Sequence, residues 1–152
     1  MNVDVLTEIK IHCPRDLVAN YASDPNNAPK WYVNIKAVEL KTPGPLKIGS
    51  QMTFIAHFLG RRLEYTYEVT EFLSGSKFQM KTAEGPFPME TTYEWKEIDS
   101  NTTQMTLRNR GTPTGFSALL APFMSAAMRR ANRKDLTLLK RMLESSAGHI
   151  SK

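Results

Sequence analysis

A chain of 152 residues, 41% hydrophobic and 23% charged, reads as one globular domain, long enough to bury a real core. No apolar run approaches the ~20 residues of a membrane-spanning helix. The lone cysteine, Cys13, excludes an internal disulfide framework and any multi-cysteine zinc site, and the net charge is +5, with six of the basic residues gathered near the C-terminus, a stripe that could attract nucleic acid or anionic lipid.

In chain order, Val3 to Ile11 alternates as a first strand, with Val5, Thr7, Ile9 and Ile11 on one side. Pro14 opens a short helix, because its fixed φ and missing N–H suit a first turn. Leu17, Val18 and Tyr21 supply its apolar side. Asp24-Pro25-Asn26-Asn27 breaks that helix, and Asp24 is placed to cap a second one running toward Trp31.

From Val33 the period becomes two. Val33, Ile35, Val38 and Leu40 form a strand that stops at Pro43-Gly44-Pro45. Met52, Phe54, Ala56 and Phe58 alternate before Gly60, and Leu63, Tyr65, Tyr67 and Val69 after it, which predicts a hairpin turning at Gly60-Arg61-Arg62. Ser74-Gly75-Ser76 turns the chain into Phe78, Met80 and Thr82, and Gly85-Pro86-Phe87-Pro88 is a loop. Thr91, Tyr93 and Trp95 follow, then a turn at Asp99-Ser100-Asn101 into Met105, Leu107 and Asn109. The sequon Asn101-Thr102-Thr103 falls in that turn. The first residues lack a basic start followed by an apolar core, so no secretory signal is expected and the sequon reads as a hairpin. A cytoplasmic location is the expectation.

From Gly115 to about Ser146 the period changes again. Wound at ~100° per residue, Arg129, Arg130, Arg133, Lys134, Lys140 and Arg141 share one sector, and Leu120, Met124, Ala127, Met128, Ala131, Leu138, Leu139 and Met142 share the other. The basic sector reads as a solvated face, with Lys140 and Glu144 at i,i+4, or as a surface for a protein or acidic partner. No aromatic residues interleave with it, so nucleic acid is not expected. Pro122 interrupts an uncharged run and marks either a helix start or a mobile shoulder over residues 115–123. An apolar patch of Phe116, Leu119 and Phe123 could also touch a membrane surface beside the basic stripe, although stable insertion is not expected.

The sequence therefore predicts an α+β chain. One strand, two short helices and about six strands in meander form a curved antiparallel sheet around one long C-terminal helix. The expected domain spans residues 1–147, with a disordered tail at 148–152. Residues of inward parity, Phe54, Tyr65, Tyr67, Met80, Tyr93, Trp95 and Leu107, would face Phe116, Leu120, Phe123, Met124 and Met128 of the helix. Such a set either interlocks as a solid core or lines an apolar ligand site, and aromatics with Met suit the latter. Trp31, at the end of the second short helix, is expected to join the lining.

Several pieces resemble the START and Bet v 1-like superfamily, and within it the polyketide cyclase/dehydrase-type group. They are Cys13-Pro14-Arg15-Asp16-Leu17-Val18, Asp24-Pro25-Asn26 leading to Trp31, and Lys47-Ile48-Gly49-Ser50. Gly115 and the final turns Asp135-Leu136, Leu139-Lys140 and Leu143-Glu144 complete the set. The resemblance covers essentially the whole chain. It implies a helix-grip fold, a seven-stranded antiparallel sheet gripping the C-terminal helix over a deep cavity. Relatives bind lipids, sterols, quinones or polyketides, a few catalyse cyclisation, and some are co-chaperones, so activity has to come from the site.

Catalytic sets are scarce. His12, His57 and His149 are scattered with no metal-ligand spacing, and no nucleophile triad, phosphate loop or dinucleotide fingerprint occurs. Cys13 reads as a small buried filler. Asp135 falls within the apolar stripe, where a carboxylate needs a partner. It is either a cavity acid with a raised pKa or a structural acceptor for a donor near the short helices, such as the Trp31 indole; the resemblance favours the second. The leading expectation is noncatalytic binding of a small hydrophobic molecule, with no cofactor or metal. The alternatives are a cyclase- or dehydratase-type enzyme, with Tyr65, Tyr67 and Tyr93 orienting a polyketide-like substrate, and an interaction module using the basic helix face.

Overall fold

The computed structural model describes residues 3–113 and 119–150, without the side chains of residues 147–150. The elements in order are β1 (Val3–Ile11), α1 (Arg15–Ser23), a 3-10 turn (Pro25–Asn27), α2 (Ala28–Trp31), β2 (Ile35–Leu40), β3 (Gln51–Phe58), β4 (Arg61–Leu73), β5 (Lys77–Glu84), β6 (Met89–Asp99), β7 (Thr102–Gly111) and α3 (Ala121–Ile150).

All strands join one antiparallel sheet of seven, ordered β1-β7-β6-β5-β4-β3-β2. Consecutive hairpins build β2 to β7, and β1 returns to pair with β7 from Val3↔Gly111 to Ile11↔Thr103. The α1–α2 segment makes the crossing from one edge of the sheet to the other. Irregularities between β2 and β3, β4 and β5, and β6 and β7 sharpen the twist and let the sheet curl. The β3–β4 hairpin turns on Leu59 and Gly60, with φ 53° and 75°, one residue earlier than the sequence suggested. Two positive φ values in a two-residue loop match the right-handed twist of the flanking strands. His57 and Arg108 point outward, and Arg108 forks onto Asp4 at 2.8 and 2.7 Å.

Helix α3 fills the curl, giving the helix-grip arrangement. Its backbone lies closest to β1 and α2. Its C-terminal half is tied down by Glu144, whose Oε2 accepts from the His12 N–H and from Lys140 Nζ, both at 2.8 Å; Lys140 Nζ also donates to the Lys10 carbonyl. Here the packing is solid, with Leu136, Leu139 and Leu143 against Trp31, Trp95, Met105 and Leu107. Cys13 is buried in the same region, and burial pushes its thiol up, against a nucleophilic role.

The buried stripe of α3 differs from the expected one. Asn132, Asp135, Leu136, Leu139 and Leu143 are buried, while Leu138 and Met142 lie at the margin. The stripe faces whatever the helix leans on, and α3 leans on β1 and α2 more than on the middle of the sheet. Among the described residues α3 begins at Ala121 with Pro122 in its first turn, the ordinary helix start. Residues 114–118, with Phe116 and much of the expected shoulder, lie outside the described residues. The helix continues to Ile150; residues 151–152 of the expected tail lie outside as well.

Candidate functional site

Toward its N-terminal half α3 stands away from β3 and β4, and a cavity of about 150 Å³ opens between them. An apolar void of that size in a protein core accepts a benzene-sized ring. Its floor is the concave face of the sheet: Phe54, Ala56 and Phe58 of β3, Leu63, Tyr65 and Tyr67 of β4, Met80 of β5, and Met89, Thr91 and Tyr93 of β6, with Asn109 of β7 behind them. The period of two puts every one of these on the same face. Met124, Met128, Ala131, Asn132 and Asp135 of α3 form the roof, spaced at three and four residues along one helix face. Tyr32, Asn34 and Ile35 close one side, and Phe87 of the β5–β6 loop another.

Of the lining foreseen from sequence, Phe54, Tyr65, Tyr67, Met80, Tyr93, Met124 and Met128 border this cavity. Trp95 and Leu107 share the inward parity but sit further along their strands, in the half where α3 is packed tight. Trp31 is fully buried beneath the lining, its ring 4.1 Å from that of Tyr32 and 5.8 Å from that of Tyr93. Phe123 is 75% exposed, because ~100° of helical winding turns it away from Met124. Leu120 precedes the helix and is 39% exposed, so the helical period does not govern it. The residues that sequence reasoning missed fall in two groups. Ile35, Ala56, Phe58, Leu63, Met89, Thr91 and Asn109 lie on strands, and Asn132 on α3, where a period could be read; Tyr32, Asn34 and Phe87 lie in irregular segments that have no period to read.

The cavity is apolar over most of its wall and polar at one end. There the Tyr32 and Tyr93 hydroxyls hydrogen-bond each other at 2.5 Å, and Thr91 Oγ1 donates to Asn109 Oδ1 at 2.6 Å. Asp135 Oδ1 accepts the Val33 N–H at 2.8 Å. This is the structural partner expected from the short-helix region, although the donor is a backbone amide just past α2 and the Trp31 indole N–H has no partner among the described residues. The bond clasps the α2–β2 segment onto α3. Burial pushes the Asp135 carboxyl up to about 7, with the Val33 N–H opposing the rise. Burial also raises the phenols of Tyr32, Tyr67 and Tyr93, and pushes Tyr65 up to about 12. At neutral pH these phenols keep their protons and serve as hydrogen-bond donors, not as bases.

Among the described residues no cluster of His, Cys, Asp and Glu is gathered as metal ligands. No helix of the described residues is long and apolar enough to cross a membrane.

Residues 2–144 match the family of polyketide cyclase/dehydrase and lipid transport proteins. The chain belongs to that family. Solved structures repeat the fold across nearly the whole chain. A protein of Thermus thermophilus superposes with a TM-score of 0.81 at 18% identity, over 94% of this chain and 98% of that one. A START superfamily protein of Mycobacterium smegmatis gives 0.78 at 13% identity, over 93% and 97%. The Zhui aromatase/cyclase of a Streptomyces species gives 0.77 at 17% identity, over 93% of each chain. At such identities the likeness establishes the fold alone. No curated protein is similar enough in sequence to match. Family and fold are consistent with hydrophobic-ligand binding or with polyketide cyclase/dehydrase roles, and the choice rests on the site.

Proposed function

We propose that this family member binds a small hydrophobic molecule in the cavity between the sheet and α3, holding it for carriage or sensing without transforming it. The observation that carries this reading is the lining itself: aromatic and Met side chains surround a partly open space that they do not fill. Such surfaces gain most by exchanging water for an apolar guest. The cavity phenols keep their protons at neutral pH, so they can orient a ligand but do not act as bases toward it.

Native mass spectrometry of gently purified protein, followed by organic extraction, tests the proposal. A stoichiometric apolar passenger, or saturable uptake of the dye Nile red by the stripped protein, is the expected result. Protein that arrives without a passenger and takes up no dye refutes it.

One observation favours a second reading, catalysis of cyclase or dehydratase type. Asp135 lines the cavity, and burial brings its carboxyl up to about 7, a value suited to exchanging protons at neutral pH. Under that reading Asp135→Asn abolishes turnover of a polyketide-like substrate and leaves its binding intact.

A further inference from the structure

Among the lining residues Asp135 is the only carboxyl group, and the fold gives it no counter-charge. No Lys, Arg or His borders the cavity. The side chains at its end of the space are neutral on every element: Tyr32 of the α2–β2 connection, Tyr67 of β4, Thr91 and Tyr93 of β6, Asn109 of β7 and Asn132 of α3 itself. Lys36 reaches the neighbouring backbone, its Nζ donating to the Val33 carbonyl at 3.0 Å, but from the exposed side. Arg129, Arg133 and Lys134 of α3 are exposed.

The two carboxyl oxygens are used differently. Oδ1 accepts the Val33 N–H at 2.8 Å, a bond that either protonation state can make. Oδ2 has no hydrogen-bond partner among the described residues, and it is not one of the unpaired polar atoms that the fold seals from solvent. It therefore meets the contents of the cavity. Water there would hydrate an ionised Oδ2. An apolar guest removes that water and offers no donor in exchange, which costs the carboxylate far more than the neutral acid.

We propose that occupancy of the cavity and protonation of Asp135 are linked: an apolar guest enters with uptake of a proton from solvent onto Oδ2, and a rise in pH through the neutral range expels it. The inference rests on the hydrophobic-ligand reading and adds the condition under which the cavity loads and empties. Burial in the fold alone brings the carboxyl up to about 7, and a guest that strips its remaining water drives it higher. At lower pH the acid is neutral with or without the guest, and affinity is constant. Above that value the carboxylate must gain a proton before the guest is accommodated, so affinity falls with each step in pH until the occupied form ionises too. The wall phenols keep their protons throughout, so Asp135 is the group on the wall that titrates there.

Toluene has no titratable group, so the pH dependence of its binding reports the protein's protons alone. Titrated calorimetrically into the full-length protein, it is expected to bind roughly tenfold more weakly at about pH 8.5 than at about pH 5.5, the factor for a carboxyl pKa raised by about one on binding. At about pH 7.5, titrations in phosphate and in Tris, buffers of different ionisation heat, should differ by the heat of net proton uptake. In Asp135→Asn, whatever its absolute affinity, both the pH dependence and the proton uptake are expected to vanish. Should that variant fail to fold, the carboxyl-carbon NMR signal of Asp135 in the wild type decides: its titration midpoint should move to higher pH when the protein is saturated with toluene.

Equal affinity at the two pH values, absence of proton uptake, an unmoved midpoint, or a pH dependence that persists in Asp135→Asn each overturns the linkage and leaves hydrophobic binding standing. Toluene that binds at neither pH overturns the hydrophobic-ligand reading along with it.

Discussion

Replacing Asp135 with Asn should flatten the pH dependence of stability in the neutral range. Asp135 is 2% exposed, and burial pushes its carboxyl from an ordinary 3.8 up to about 7. In the unfolded chain the group ionises near 3.8; in the fold it holds its proton until about 7. Between those values unfolding releases a proton, so each step up in pH favours the unfolded state. The stabilisation is complete below the unfolded value and is lost as pH rises through the folded one. At about 1.36 kcal/mol per pH unit, the loss between about pH 5 and about pH 8 is roughly 2–3 kcal/mol through this one group. The groups that face Asp135 are the Tyr32 and Tyr93 phenols, neutral over this range, and the Val33 N–H. Asp4 and Glu144, held below their ordinary values by Arg108 and Lys140 against the opposing effect of burial, act in the opposite sense at more acid pH. Asparagine can still accept from Val33 and cannot ionise. Urea unfolding followed by tryptophan fluorescence suits the measurement, because Trp31 and Trp95 are both buried. A flat wild-type profile, or the same slope in Asp135→Asn, refutes the reasoning.

Two other outcomes follow from the cavity wall. Tyr93→Phe leaves the Tyr32 hydroxyl without its 2.5 Å partner and should cost about 1–3 kcal/mol; adding Tyr32→Phe should restore part of it, a coupling that a double-mutant cycle by urea denaturation measures. Gly85→Ala places a Cβ 2.5 Å from Tyr65 Cδ1, so the ring must shift; about 1–3 kcal/mol of stability and much of the dye uptake should be lost, read by denaturation and Nile red titration.

The strands and the site differ in how much of them local pattern reveals. Alternation in Met52 to Phe58 and Leu63 to Val69 marked both strands of the β3–β4 hairpin, and the Ser74-Gly75-Ser76 turn fell where β4 ends and β5 begins. The same alternation put Phe54, Tyr65, Tyr67, Met80 and Tyr93 on one face, and that face now borders the cavity. Parity names a face and not a depth along it, which is why Trp95 and Leu107 were grouped with the lining although they pack in the closed half. On α3 the helical period allowed a broad apolar sector, and contact with β1 and α2 selected which part of it is buried. Asn132 was legible in principle, four residues after Met128 and three before Asp135, but its polarity placed it outside a stripe defined by hydrophobicity.

By itself the sequence determined the α+β class, the element order, the grip of a sheet around one long helix and the odd burial of Asp135. Those features follow from local periods, from turn residues and from the cost of exposing an apolar stripe. The tertiary structure alone decided that α3 departs from β3 and β4 in its N-terminal half, leaving a space where a solid core was equally compatible with the sequence. It also decided that Tyr32, Val33, Tyr93, Asn132 and Asp135, from the α2–β2 connection, β6 and α3, meet at one end of that space. Contacts across ~100 residues of chain depend on how a twisted sheet closes on a helix, and no short-range pattern carries that information.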